Sequence, residues 1–482
     1  MTAPFFLGID IGTQGARVQL IDVQGHVMAE AEEVFALNTG AREEQSPREW
    51  WQACLRSLHS VLSGTPLDLT RIIAVAVTST SGTVIPLDAQ REPLHPAIMY
   101  SDPRSSKEAA LCRELALQAG SSYTGFNNSS GLSKMVWFAH TFPEKVQKIC
   151  YWVHAADYIT GKLSGRWGIT DYTNALKSGY DLQKLAWPSY IYEQLPVQQA
   201  WLPEVVPSGT PVGTLDPSVA AELGLPAALK VVAGITDGCA SQIASGAVNL
   251  GDWNTTIGTT LVVKGVTKKE IKDPHDSLYN HRHPDGYWMP GGASNTGADW
   301  VTKDFKDDLA ALNEQSIRLI PTGKMVYPLQ QQGERFPFIA PEARGFEPEG
   351  LSRAERYTAG MEGVAYIERY AYELIEHLSG EKVGAVYTAG GASNSAAWLT
   401  IRSHVLNRPL YKMKQVSGAF GAAILAASKT HFTGLVEAAQ ALTQIEKEIH
   451  PEKELAEKYE QGYQAFLQIL QEKGYIKERV YA

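Results

Sequence analysis

The sequence predicts an α/β protein of two domains, and three observations carry that prediction. A chain of 482 residues is too long for a single hydrophobic core. Continuous apolar runs of strand length, Ile72–Val77 and Val231–Ile235, end in small polar residues and alternate with stretches of helical periodicity. That alternation is the mark of strands covered on both faces. A strand–Gly-Thr–strand pattern also occurs twice, at Ile11-Gly12-Thr13 and Ile257-Gly258-Thr259, roughly half a chain apart. The repeat reads as one α/β unit duplicated, with a ligand expected in the cleft between the copies. The tripeptide is short enough to recur by chance, and the matching strand flanks favour duplication.

Composition narrows the class further. Hydrophobic content of 44% with 20% charge is that of a globular protein. A net charge of -9 argues against nucleic acid or an anionic membrane as partner, and leaves room for a nucleotide held in a local glycine-rich nest. Cys54, Cys112, Cys150 and Cys239 lie far apart without CxxC spacing, so reduced, buried thiols are expected rather than disulfides or a zinc site. No basic leader precedes Phe5-Phe6-Leu7, which already belongs to the first strand, and no apolar run approaches the length of a membrane span. A cytoplasmic location is expected.

Taken in order, the first element is a β-hairpin: Phe5 to Ile11 enters, Gly12-Thr13-Gln14 turns, and Gly15 to Asp22 returns. Such a turn points backbone N–H groups into a concavity suited to an anion, and Asp10 on the entering strand could hold a cation bridging phosphate oxygens. An ordinary surface hairpin explains the same ten residues equally well. Val27 to Phe35 supplies a third strand. Ser46-Pro47-Arg48-Glu49 then starts a helix with Trp51, Cys54, Leu55, Leu58 and Leu62 on one face. The buried strand Ile72–Val77 ends in Thr78-Ser79-Thr80-Ser81-Gly82-Thr83, and ligands of open α/β sheets bind beyond such strand ends. Met99 to Arg104 brings an acid, a base and an aromatic ring together after another short strand.

Residues 105 to 230 read as mostly helical, closed by the Pro- and Gly-rich passage Pro203–Pro226. Val231 onward restores a buried strand ending at Thr236-Asp237-Gly238, and a small-residue helix, Ala240 to Ala247, follows. Asp237 is the catalytic candidate, because a carboxylate ionised at neutral pH can take the proton of an alcohol. Helix capping also explains Asp at that position, and the two readings are not exclusive. Trp253 to Val263 forms the second hairpin; Tyr366, Ile367, Tyr370 and Leu374 mark a long helix. Val383 to Tyr387 then runs into Thr388-Ala389-Gly390-Gly391-Ala392-Ser393-Asn394, ahead of a helix from Ala396 to Leu406. Strand, Gly-Gly, helix lets backbone approach a flat ring or a phosphate closely. Gly418–Ala427 is a small-residue helix expected against the nucleotide loop, and the helix through Tyr459, Tyr463 and Phe466 is structural. No GxxxxGK[ST], GxGxxG, GxSxG or HExxH occurs, and His281, His283 and Asp285 read as a polar loop rather than a metal pair.

Gly8-Ile9-Asp10-Ile11-Gly12-Thr13, Thr236-Asp237-Gly238, Thr256-Ile257-Gly258-Thr259-Thr260 and Gly390-Gly391-Ala392-Ser393-Asn394, in that order, resemble the FGGY family of carbohydrate kinases. Lys134-Met135-Val136-Trp137 resembles that family's first signature, and the likeness spans nearly the whole chain. The resemblance implies two actin-like ATPase (ribonuclease H-like) domains, residues 1–248 and 249–482, closing on a sugar and Mg-ATP. It implies Asp237 as general base and Asp10 as a holder of Mg2+. Thr13, Gln14, Arg17, Gly258 and Thr259 would contact phosphates; Gly12 and Gly297 would also bind the nucleotide, and Gly390, Gly391 and Asn394 would frame the adenosine. Gln14 stands where many members have Ser or Thr.

Glycerol kinases carry Arg-Glu, and many D-xylulose kinases Met-His-Gly, where this chain has Thr80-Ser81-Gly82-Thr83. That cluster resembles the D-ribulose kinases of cyanobacteria and plants. So do Met99–Asp102, Asp171–Lys177 and Leu278–Arg282. The resemblance therefore implies a pentulose kinase, D-ribulose first and D-xylulose second, acting at a terminal hydroxyl. Asp102 and Asp237 would bind sugar hydroxyls, with Thr80, Ser81 and Arg104 near, although Asp102-Pro103 is also turn chemistry. A monomer or homodimer binding only sugar and ATP is expected. A reading from another class is a non-catalytic sugar- or nucleotide-binding protein of the same fold, which loss of the base would favour; both Asp10 and Asp237 are present.

Overall fold

Strand Phe5–Ile11 is the spine of the first of two compact units in the computed structural model, which describes residues 3–37, 39–64 and 67–477. That unit takes the chain up to Ala244 together with His281–Gly286 and Gln415–Thr443. Its sheet runs Pro211–Thr214, Lys230–Val232, Ile72–Ser79, Phe5–Ile11, Gly15–Ile21, Val27–Val34. Phe5–Ile11 is antiparallel to its hairpin partner and parallel to Ile72–Ser79. Period-two alternation gives the spine two buried faces. Phe5, Leu7, Ile9 and Ile11 join the core with Trp50, Cys54 and Leu58 of helix Pro47–Ser63. On the opposite face Gly8 meets the backbone of Ala419, in helix Gly418–Ser428. Double coverage is why Ile72–Val77 is apolar without alternation. The Ser46 cap is as expected, its hydroxyl accepting from Glu49 N–H at 3.3 Å.

The stretch 105–230 is less uniformly helical than its sequence suggests. Helices Ser106–Gln118, Gly131–Thr141, Ala155–Ser164 and Pro217–Leu223 are broken by strands Tyr151–His154, Ile169–Asp171, Glu204–Val206 and Pro211–Thr214. Strands of three or four residues are too short for alternation to register. The run from Val231 is likewise split, into Lys230–Val232 and Ile235–Thr236, and at the break only glycine fits, since a side chain at Gly234 would begin 2.2 Å from the Val77 carbonyl oxygen. Helix then begins at Asp237 and ends at Ala244, three residues earlier at each end than its composition suggests.

The second unit holds Ser245–Asn280, Tyr287–Lys414 and the chain from Gln444. Its sheet runs Leu278–Arg282, Trp288–Ser294, Leu261–Gly265, Asp252–Ile257, Ala385–Ala389, Leu410–Met413, Ile445–Ile449. Asp252–Ile257 repeats the spine's relations: antiparallel to its hairpin partner, parallel to the strand on its other side. The shared strand order accords with duplication. Helix Arg353–Ser379 starts from a Ser352–Glu355 capping box and stops at Gly380 with φ 67. It is pinned to helix Ala396–Leu406 by the fully buried Arg402–Glu368 ion pair at 2.7 Å. The final helix, Lys453–Glu472, buries Tyr459, Tyr463 and Phe466 in the same core. Among the described residues no helix is long and apolar enough to cross a membrane.

Candidate active site

In the first unit the turn Gly12-Thr13-Gln14 closes with Gly12 N–H donating to the Gly15 carbonyl at 3.0 Å. Two bonds brace its far side: Phe35 N–H to the Gln14 carbonyl at 2.8 Å, and Gln45 Nε2 to the Thr13 carbonyl at 3.0 Å. The exposed Gln14 side chain and half-buried Thr13 therefore stand on a fixed backbone. Arg17 faces Asp10 across the ladder and pairs with Glu32 at 2.7 Å.

Asp10 carries a buried oxygen, Oδ1, with no hydrogen-bond partner. Burial pushes its carboxyl up to about 7; the charge of Asp237 adds to the rise and the Arg17 guanidinium opposes it. Asp237 opens its helix, and its Oδ1 accepts the Gly238 N–H at 2.6 Å. Strand Ile235–Thr236 that delivers it is parallel to Thr78–Ser79, the end of the strand beside the spine. Two carboxylates thus lie near enough for the charge of one to act on the other, and Asp10 holds an orphaned oxygen. That is a hard-oxygen donor set fitting Mg2+, which takes one or two carboxylates plus phosphate and water. Among the described residues no group of three or more His, Cys, Asp or Glu gathers as a fuller metal site.

The sugar candidates form one cluster in the same unit. Asp102, 1% exposed, is gripped by Arg104: Nε lies 2.9 and 3.0 Å from its two oxygens and one terminal nitrogen 2.6 Å from Oδ2. The Arg104 backbone N–H adds a bond to Oδ1 at 2.9 Å, so Asp102 is also the turn former that Asp-Pro suggests. Arg104 is itself held by Glu44 at 2.7 Å and lies over the Trp137 ring at 4.4 Å. Thr80 shares a hydrogen bond with Thr83 at 2.9 Å, while Ser81 Oγ is buried without a partner. Gly82 (φ 88) presses this turn onto the Ser129 carbonyl and the Lys177 side chain.

Sequence reasoning singled out neither Glu44, Gln45 nor Lys134 for the site. Lys134 is fully buried, donates to the Asn128 carbonyl, and is pushed down to about 7 by burial, with Asp102 opposing and Lys177 reinforcing. A lysine inside the apolar Leu132–Phe138 face was the available signal. Glu44 and Gln45 have none, since their partners lie at residues 104 and 13. His283 and Asp285 tie their loop together, Asp285 N–H meeting His283 Nδ1 at 3.0 Å and Asp285 Oδ2 accepting Leu435 N–H at 3.1 Å.

In the second unit the remaining candidates meet at the carboxyl ends of Asp252–Ile257 and Ala385–Ala389, paired as far as Thr256–Ala389. Gly258 N–H donates to the Thr260 carbonyl at 3.0 Å, and Ala298 N–H to the Gly258 carbonyl at 2.7 Å. Gly297 backs the turn so closely that a side chain would begin 2.4 Å from the Thr259 carbonyl oxygen. Gly390 (φ 84) abuts the Ile257 carbonyl in the same way, whereas Gly258 and Gly391 face open space. Asn394 is exposed, its Oδ1 accepting from Lys412 Nζ at 3.2 Å.

The family model described as FGGY family of carbohydrate kinases, N-terminal domain, matches residues 5–244, and its C-terminal counterpart matches residues 253–430. The chain is 26% identical to the xylulose kinase of Bacillus subtilis (strain 168), with 94% of each chain covered. It is 24% identical to the gluconokinase of the same strain, covering 92% of this chain and 90% of that one. The crystal structure of xylulose kinase from Rhodospirillum rubrum shares the fold, with a TM-score of 0.86 at 22% identity over 98% of this chain and 99% of that one.

Proposed function

Because the chain belongs to the FGGY family of carbohydrate kinases, we propose that it phosphorylates a ketopentose with Mg-ATP, D-ribulose to D-ribulose 5-phosphate first and D-xylulose second. The observation that carries this reading is the buried Asp10, on the strand that runs into the braced turn 12–14, feeling the charge of Asp237. Asp237 takes the proton of the terminal hydroxyl as that oxygen bonds to the γ-phosphorus. The bond from the γ-phosphorus to the β–γ bridging oxygen breaks, and ADP leaves. Asp10 would hold Mg2+, which when bound supplies charge neutralisation for the phosphates. Gly12, Thr13, Gln14, Arg17, Gly258, Thr259 and Gly297 serve the ATP phosphates. Gly390, Gly391 and Asn394 frame the adenosine. Asp102, aimed by Arg104, binds sugar hydroxyls together with Thr80, Ser81 and Asp237.

D-ribulose leads because of the turn Thr80–Thr83, whose shared hydroxyl bond and unpartnered Ser81 Oγ offer small polar groups rather than a histidine. D-xylulose stands second on the relative named xylulose kinase. A coupled ADP-release assay over ketopentoses, polyols, glycerol and gluconate decides between them, D-ribulose being expected to give the highest kcat/KM. Asp237→Ala should lower turnover by about 10² to 10⁴ while calorimetry still shows ATP binding. Full turnover in that variant would remove Asp237 from the role of base.

A further inference from the structure

Glu334 is 3% exposed and belongs to no candidate motif, yet its carboxylate accepts five hydrogen bonds. Oε1 takes the backbone N–H groups of Asn295 at 2.7 Å and Arg335 at 3.0 Å. Oε2 takes the hydroxyls of Ser294 at 2.9 Å, Thr296 at 2.7 Å and Tyr327 at 3.0 Å. Three of these donors are consecutive residues, 294 to 296, and the next residue is Gly297. The same short segment is tied from its other side by Asn295 Nδ2 on the Gly333 carbonyl at 2.9 Å. Gly297 in turn seats the Gly258-Thr259 turn, through its own close approach to the Thr259 carbonyl and through Ala298 N–H on the Gly258 carbonyl at 2.7 Å.

We propose that Glu334 is a positioning residue for the nucleotide: it fixes residues 294–296 so that Gly297 holds the second glycine-threonine turn in the shape that receives phosphate. The inference rests on the reading of that turn as a phosphate site. A carboxylate suits the task better than any neutral group. Five donors converge on it, two of them N–H groups that cannot reverse, and charge-assisted bonds of this kind are about twice as strong as neutral ones. Gly297 and Ala298 meet the turn through backbone, so a shift of residues 294–296 passes directly to Gly258 and Thr259. Displacements of about 1 Å at a substrate-positioning element cost up to about 10²-fold in activity.

Glu334→Ala is expected to raise the KM for ATP at least tenfold while the KM for the sugar stays within about twofold. Glu334→Gln should raise the KM for ATP less than Glu334→Ala does. Its carbonyl can keep the two N–H groups, but its uncharged amide has two hydrogens for the three hydroxyls now on Oε2. Ser294→Ala/Thr296→Val, which removes two donors and leaves the carboxylate, should raise the KM for ATP to an intermediate value. Gly258→Val reports on the underlying reading: its side chain enters open space, so the protein folds, and it should block ATP. If Gly258→Val leaves the KM for ATP unchanged, the second turn is no phosphate site and the inference goes with it. If Gly258→Val weakens ATP but a folded Glu334→Ala does not, or moves both KM values equally, the positioning role alone is overturned. Should Glu334→Ala fail to fold, the double variant decides by the same two criteria.

Discussion

Asp10 shows what burial does to one carboxylate in a sheet. In the unfolded chain it titrates near 3.9; in the fold, burial and the charge of Asp237 push it up to about 7. A raised acid favours the folded state while it is protonated. Its contribution is complete below about pH 4, declines as pH rises, and is gone above about 7. In metal-free buffer the thermal midpoint of the wild type should therefore fall relative to Asp10→Asn across that window. Adding Mg2+ at pH 8 should raise the midpoint of the wild type and not of the variant. Scanning calorimetry of both proteins at pH 5, 6, 7 and 8 checks the sign; parallel curves would mean that Asp10 keeps an ordinary pKa. The same balance acts in reverse on Lys134, where burial favours the neutral amine.

Helix Gly418–Ser428 is the element on which the first unit depends most. All eleven of its residues are buried, which is why its sequence is apolar around the whole circumference. Contact this close requires small residues on both sides. A side chain at Gly8 would begin 1.9 Å from the Ala419 carbonyl oxygen, one at Gly421 2.0 Å from the Ala240 carbonyl oxygen, and one at Gly418 2.5 Å from Asp10 Oδ2. The helix thus packs on the strand bearing Asp10 and on the helix begun by Asp237, rather than only on a nucleotide loop. Gly421→Ala drives a methyl group into backbone that cannot swing aside. A loss of roughly 1–3 kcal/mol or more is expected, read as a lower urea midpoint with an unchanged slope. A variant as stable as the wild type would show that the two helices can slide apart freely.

For the molecule as a whole, sequence continuity and structural units diverge. Gln415–Thr443 belongs to the first unit although the second unit's segments precede and follow it. A fragment of residues 1–244 lacks the helix that covers Phe6, Gly8 and Asp10. It should show no cooperative thermal transition and weak near-ultraviolet dichroism. The same fragment joined through a flexible linker to residues 415–443 should regain both. A cooperative transition in the shorter fragment would mean that the sheet closes its core without the returning helix.

What the sequence determined alone was local in origin. Both hairpins, the doubly covered strand Ile72–Ser79, the Ser46 cap, and the placing of Asp10 and Asp237 on or just after strands follow from period, capping and glycine within a dozen residues. The order of four such motifs was enough to suggest the family. What tertiary structure decided were contacts across long separations: Arg104 with Glu44, Gln45 with Thr13, Glu334 under residues 294–296, and residues 415–443 against the first sheet. No periodicity encodes these. A hydrogen bond between residues sixty apart leaves no trace in the neighbours of either one, and it forms only after the backbone between them has folded.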